Sequence, residues 1–475
     1  MYYLILLVAY SVAQIALALW IGRRVRTAGD FFVAGRSLGP GLLFSTMLAA
    51  NIGAGSTVGA TGLGYRDGLA AFWWVGSAAI GSIVLALWIG PAIRRAAAEH
   101  DLRTVGDFLE LRFGVQVRTT IAALLWVGAI FILAGQLIAI STIFRVIIGV
   151  PGAVGCILGG VLITIYFTAG GLLTSAWVNV VQLTVKLVGF AITLPLALSG
   201  VGGWGPVRAL QPTPDYWNFW SSGESGLVLL AVLGPAFLVS PGLLQKIYGA
   251  RDDRAVRLGV GLNALALALY AMVPVVLGMI ARVRFSELES HELALPMILL
   301  HGVPAVVGGI GLAAVFSAEL SAADAVLFML TTSLSQDFYR RFINRAATEK
   351  QMLRVTRLTA VAAGMLGIGV ALAAASVITA LTIFYTLMAV GLFVPIISGL
   401  FIRRAGSAEA MGAIIAGVGT VIVRQFIYGG AKLHGFTPAM AGLTAAITVF
   451  AVLLVIPKAS SARRGTHAGT PRSDT

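Results

Sequence analysis

The sequence holds one cysteine, Cys156, in 475 residues. An internal disulfide is excluded, and the lone thiol reads as a small packing group. Charge is scarce: 11% of residues are Asp, Glu, Lys or Arg, where a soluble domain carries about a quarter. Catalytic signatures are missing too. There is no Gly-x-Ser-x-Gly elbow, no zinc-ligand spacing and no phosphate loop, so hydrolase, zinc-enzyme and nucleotide chemistry lack their residues. The chain is not read as an enzyme.

What it has is apolar surface, 58% of residues with a mean hydropathy of +0.94. One water-soluble core cannot absorb this. Runs of about 20 apolar residues recur from end to end, which predicts membrane-spanning helices. The spans fall near 2–22, 40–65, 69–92, 118–148, 152–170, 177–199, 226–248, 257–281, 304–335, 355–378, 380–402, 409–429 and 438–457. The first is too long, and too poor in preceding basic residues, for a cleaved signal peptide.

The net charge of +14 is a topology signal rather than a nucleic-acid footprint. Alternate connections hold most of the cations: Arg23, Arg24, Arg26 and Arg36; then Arg94, Arg95, Arg103, Arg112 and Arg118; then Lys246, Arg251, Arg254 and Arg257. The pattern continues with Arg340 to Arg357, Arg403 and Arg404, and the tail. By the positive-inside rule these connections are cytoplasmic. That places the N-terminus outside and the C-terminus inside a plasma (inner) membrane, with lipid as the surrounding partner.

Two spans are interrupted. The first, Pro40 to Tyr65, carries Asn51, Gly53, Gly55 and Ser56; the second, Leu227 to Tyr248, carries Gly234, Pro235, Ser240, Pro241 and Gly242. Backbone that leaves the helix inside a bilayer survives only where protein or a water-filled cavity covers it. Paired interruptions in corresponding halves point to a transporter's binding site. Each opens a block of five spans, and an odd number sets the blocks in opposite orientation. The expected architecture is an all-α integral membrane protein of about thirteen spans with a five-plus-five inverted repeat and two discontinuous helices. It forms one transporter domain over 1–458, with repeats at about 40–199 and 226–402 and a short cytoplasmic tail at 459–475.

Polar residues inside spans are the candidate chemistry. Asn179, Gln182 and Lys186 share one helix face by their spacing. From its depth, Lys186 needs roughly 13 Å to reach water, more than a lysine spans, so it faces a polar interior. Glu319 lies near the middle of its span, where a carboxylate costs ~3 kcal/mol and is functional by default. Asp324 lies nearer an end. Ser321 offers a hydroxyl within a stripe formed with Ala318, Ala322 and Ala325. Two segments read as peripheral. Val105–Arg112 is amphipathic, with Phe108 and Leu111 toward lipid or core and Arg112 toward headgroups. Glu287, Glu289, His291 and Glu292 read as a solvated polar loop rather than a metal site.

Several ordered motifs resemble the sodium:solute symporter family: FFVAGRSLGPG (31–41), AANIGAGS (49–56), GLGYRDG (62–68), VGDFLELRFG (105–114), AWVNVVQ (176–182), SPGLLQKIYGARD (240–252) and SAADAVLFMLTTSLSQDFY (321–339). The resemblance implies the leucine-transporter-type architecture, alternating access, and co-transport of sodium with a small organic solute. It places a sodium site on the carbonyls of Ala49, Ile52 and Ala318 and the hydroxyl of Ser321. Two positions depart from the family pattern. Ala322 stands where a second hydroxyl is usual, and Asn179 stands for an aspartate. Lys186 adds a cation on the same helix, able to repel sodium or replace it. Asn51, Ser56, Trp74 and Phe237 are the candidate solute contacts; Asn179, Lys186 and Glu319 are the candidate coupling residues. A proton-coupled or uncoupled transporter of the same fold, with Lys186 replacing sodium, is the alternative. A membrane sensor module is the alternative from another class.

Overall fold

The computed structural model describes residues 2–22, 36–168, 172–210, 212–222, 224–374, 376–429 and 436–456. The basic cluster Arg23, Arg24 and Arg26, the first residues of the 31–41 motif and the tail lie outside the described residues. Among the described residues, ten helical stretches are long and apolar enough to cross a membrane by length and composition, and Tyr2–Leu17 and Gly152–Ile165 are shorter apolar helices.

The helices of the first half are α1 (Tyr2–Gly22), α2 (Pro40–Asn51), α3 (Ala60–Asp67), α4 (Phe72–Val84), α5 (Gly90–Glu99), α6 (Val105–Phe113), α7 (Val115–Ile148), α8 (Gly152–Thr168), α9 (Leu172–Gly200) and α10 (Trp204–Arg208). The second half holds α11 (Gly226–Leu238), α12 (Pro241–Tyr248), α13 (Asp253–Tyr270), α14 (Met272–Arg284), α15 (Ala294–Met297), α16 (Ala305–Thr332), α17 (Glu349–Ala373), α18 (Val377–Phe401), α19 (Ser407–Tyr428) and α20 (Pro438–Val455). Among the described residues each expected span coincides with helix, with shifted ends, and the two interrupted spans are helical on either side of their breaks.

Both expected breaks are present. The first separates α2 from a π-helical turn at Gly55–Gly59 that leads into α3. Ile52 is extended there (φ −92°, ψ 91°). A Cβ on Gly53 would sit 2.4 Å from Cβ of Ala322 on α16, so only glycine lets the opened backbone press against that helix. The second break lies between α11 and α12 and follows from Pro241. Proline's ring disfavours helical backbone in the residue before it, and Ser240 is accordingly non-helical (φ −56°, ψ 117°). The far ends of the two broken spans are tied together. Leu38 N–H donates to the Gly249 carbonyl at 2.9 Å, and Arg251 N–H donates to the Leu38 carbonyl at 3.1 Å.

Helices pack in two sets around these breaks. In one, α13 lies against α2 and α4, α14 against α3, and α11 against α4. In the other, α7 lies against α8, α16 and α17. Two further helices bridge the sets: α9 packs on α16 and α2, and α18 on α7 and α11. The final pair, α19 and α20, pack chiefly on each other and on α18.

Three expectations are corrected. Arg112 does not face headgroups: its guanidinium donates to the carbonyls of Gly399 (2.7 Å) and Ile402 (3.3 Å), satisfying acceptors that α18 leaves open at its C-terminal end. The loop acids are not all solvated. Glu289 is exposed and pairs with Arg145 at 2.6 Å, but Glu292 is buried and accepts the Val377 N–H at 2.7 Å. Lys246 is not an exposed topology charge; it is buried, 2% exposed, within the bundle.

Candidate cation and solute site

The opened segment after α2 has two functional faces. Toward α9 it offers peptide oxygens. Lys186 Nζ donates to the carbonyls of Ala49 (2.7 Å) and Ile52 (3.1 Å) and to the hydroxyl of Ser321. Ser321 Oγ itself lies 2.8 Å from the Ala49 carbonyl and 3.0 Å from the Ala318 carbonyl. Three acceptors match the three protons of an ammonium. The four residues expected to ligate sodium are thus brought together, and the cation among them is a lysine side chain. Their oxygens suit a hard cation; the space they surround belongs to Nζ.

Asn179, Gln182 and Lys186 do share one buried face of α9. Asn179 Nδ2 donates to Thr46 Oγ1 on α2 at 3.0 Å. Glu319 does not bond Lys186. Its Oε1 lies 2.7 Å from Thr57 Oγ1, which also lies 3.0 Å from the Gly53 carbonyl. One hydroxyl proton serves only one of these acceptors, so a proton on Glu319 would complete the set. Glu319 Oε2 is buried without a hydrogen-bond partner.

The other face of the same segment borders a central cavity of about 80 Å³, room for a few waters or a solute of a few heavy atoms. Asn51, Ser56, Trp74 and Phe237, the four expected solute contacts, all line it. Ser56 Oγ lies 2.9 Å from the Asn51 carbonyl and accepts the Gly53 N–H at 3.0 Å, closing the turn. Asn51 Nδ2 donates to Asn263 Oδ1 at 3.1 Å, and Asn263 Nδ2 to Ser82 Oγ at 3.2 Å. Aromatic rings stack in the cavity wall. Phe237 stacks on Tyr385 with centroids 5.2 Å apart, and Trp74 meets Tyr385 edge-on at 6.0 Å.

Among the lining residues that sequence reasoning missed, three shape the site. Gln136 accepts the Ala54 N–H at 2.9 Å and so holds the opened strand. Tyr385 completes the aromatic stack. Lys246 reaches the cavity from α12. The first two are single polar or aromatic residues in apolar helices, with no local signal. For Lys246 the signal was its place within an apolar run, just after a break.

Residues 31–417 match the description of the sodium:solute symporter family. The chain belongs to the sodium:solute symporter family. It is 24% identical over 417 residues to the high-affinity proline transporter PutP of Bacillus subtilis (strain 168), covering 84% of this chain and 87% of that one. It is 25% identical over 470 residues to the sodium/pantothenate symporter of Escherichia coli (strain K12), covering 94% and 95%. In fold it matches a solved Na+-coupled sialic acid symporter with a TM-score of 0.81 at 18% identity, over 96% of this chain and 98% of that one. The nucleobase-cation-symport-1 family transporter Mhp1 matches with a TM-score of 0.62 at 14% identity, over 90% and 94%. The architecture is the expected leucine-transporter type. As a member of the sodium:solute symporter family the protein is a secondary transporter of small solutes and not an enzyme.

Proposed function

We propose that this symporter carries a small organic solute together with a cation by alternating access, from the cavity beside Ser56 and through the oxygen cage behind it. The observation that supports this reading is the double role of one opened segment. The carbonyls of Ala49 and Ile52 face a cation, while Asn51, Gly53 and Ser56 face the cavity. Cation and solute then share a wall, so each raises the other's affinity. Rocking of the broken helices and their neighbours against the remaining set exposes that wall to one side at a time. We further assign one transporter unit over 1–458 with repeats at about 40–199 and 226–402, in a plasma (inner) membrane with the N-terminus outside.

Sodium is the coupling ion that family membership supports. It enters the cage when Lys186 turns aside. Two unit charges roughly 3 Å apart repel by about 5 kcal/mol at an effective dielectric constant of about 20, so sodium and the ammonium exclude one another. A second reading is favoured by the three bonds Lys186 makes: the lysine itself replaces sodium, and its proton is the coupling ion. Reconstituted protein separates the two. Uptake driven by an imposed sodium gradient at fixed pH supports the first; uptake driven by a pH gradient without sodium supports the second. Solute exchange that responds to neither gradient would remove cation coupling.

A further inference from the structure

The central cavity carries a charge that the cation cage does not use. Of the side chains lining it, Lys246 is the one that is formally charged, and no aspartate or glutamate lines it. Lys186 belongs to the cage and is not part of the lining. Lys246 sits on α12, in the second turn after the break at Ser240, and is 2% exposed. None of the hydrogen bonds or ion pairs among the described residues takes up its ammonium. Asp324 on α16 is the opposite charge that acts on it, through space. An ammonium inside a membrane bundle without an acceptor is costly unless something supplied from the cavity pairs with it.

The peptide ends near it have the same polarity. Ser240 and Gly242 line the cavity at the start of α12. Pro241 has no N–H, and the amides of Leu243 and Leu244 donate to the Ser240 carbonyl at 3.0 and 2.9 Å, which leaves the Gly242 amide at the positive end of the helix dipole. A Cβ placed on Gly242 meets nothing within 4 Å, so the space beside its Cα is open. The rest of the wall is different. Trp74, Phe237, Leu381, Phe384 and Met329 make much of it apolar and Asn51, Ser56 and Gln136 add neutral polar groups, a wall fit for a compact hydrocarbon body and unable to neutralise a second charge.

We infer that the cavity takes a small organic monoanion, a carboxylate with a compact apolar body, and that Lys246 receives the carboxylate with the amide of Gly242 beside it. The inference rests on reading this cavity as the solute site. A cationic solute would meet Lys246 and no counter-charge. A neutral one would leave the lysine with only the through-space charge of Asp324. An anion pairs with the lysine in the cavity while the cage on the other face of the same segment holds a cation.

Matched probes test it by binding alone, apart from transport. Full-length protein in lipid nanodiscs is titrated with monocarboxylates of two to six carbons, and with the amide and the amine of the same skeleton. The carboxylate of at least one skeleton should bind ten times or more tighter than its amide, and the amine should not bind. Lys246→Gln should abolish that preference and Lys246→Arg should keep it, both with wild-type melting curves. If Lys246→Gln does not fold, Lys246→Arg and the wild-type selectivity still decide. Amide or amine binding equal to carboxylate, no binding by any carboxylate, or an unchanged preference in a folded Lys246→Gln would overturn the assignment. Carboxylate binding without gradient-driven uptake would count against the transport reading and leave the anion assignment standing. Gradient-driven uptake of neutral or cationic solutes would do the reverse.

Discussion

Lys186 and Ala49, 137 positions apart, meet through an ammonium–carbonyl hydrogen bond of 2.7 Å at the point where the first broken helix opens. The carbonyl is available because the helix stops. Inside an unbroken helix it would serve its own chain four residues on. The lysine is tolerated there for the same reason, since opened backbone supplies acceptors that lipid cannot. Each half of the contact explains the other.

Ser321 holds both partners of that contact. Its hydroxyl accepts from Lys186 and lies 2.8 Å from the Ala49 carbonyl. Ser321→Ala removes a buried bond to a charged group, a change of about 1.5–3 kcal/mol. The expected result is at least tenfold weaker cation dependence of solute uptake, with a folded protein whose melting temperature is lowered. Cation dependence that is unchanged in the alanine variant would exclude Ser321 from the cage.

Gly53 tests whether the break is a required shape. Alanine at 53 brings its Cβ to 2.4 Å from that of Ala322. Overpacking of this kind costs about 1–3 kcal/mol, and here it pushes the opened segment off α16. Gly53→Ala should lose solute binding, and the double variant Gly53→Ala with Ala322→Gly should recover part of it. Full binding by the single variant would show that the segment does not need this close approach.

Gly53 and Lys186 also show how much was legible beforehand. Clusters of glycine, asparagine and proline inside apolar runs marked both breaks, although Gly234 and Pro235, counted with the second, lie inside α11 and only Ser240 and Pro241 mark where the helix stops. Lys186 was too deep to reach water. Tertiary contacts were not legible. The hydrogen bond of Gln136 to Ala54 and the stacking of Tyr385 on Phe237 join elements far apart in sequence. Lys246 was misread because Arg251, Arg254 and Arg257 follow it closely, and its run resembles the start of a basic connection. Glu292 was misread because the helix end it serves begins 85 positions later.

Glu292 gives a pH prediction outside the spans. Burial pushes its carboxyl up from the ordinary range, and the amides of Val377 and Ile378 pull it back only in part. A group whose folded value is raised contributes most below its unfolded value, about 4.3, and that contribution fades as pH rises through the folded value. Glu292→Gln keeps an acceptor for Val377 N–H and has no proton to lose. The wild-type melting temperature should therefore drop relative to Glu292→Gln between pH 4 and 7. Parallel curves across that range would refute the buried cap. Glu292→Ala should cost about 1–2 kcal/mol at either pH through the lost acceptor.

The central claim is that the oxygen cage holds one cation at a time and that Lys186 competes for it. The most direct test measures sodium-dependent stabilisation of purified wild type and Lys186→Met across pH 5 to 9. Removing the ammonium should open the cage, so Lys186→Met should respond to sodium at concentrations at least tenfold lower than wild type, with little dependence on pH. Equal sodium responses from both proteins at every pH would contradict the account.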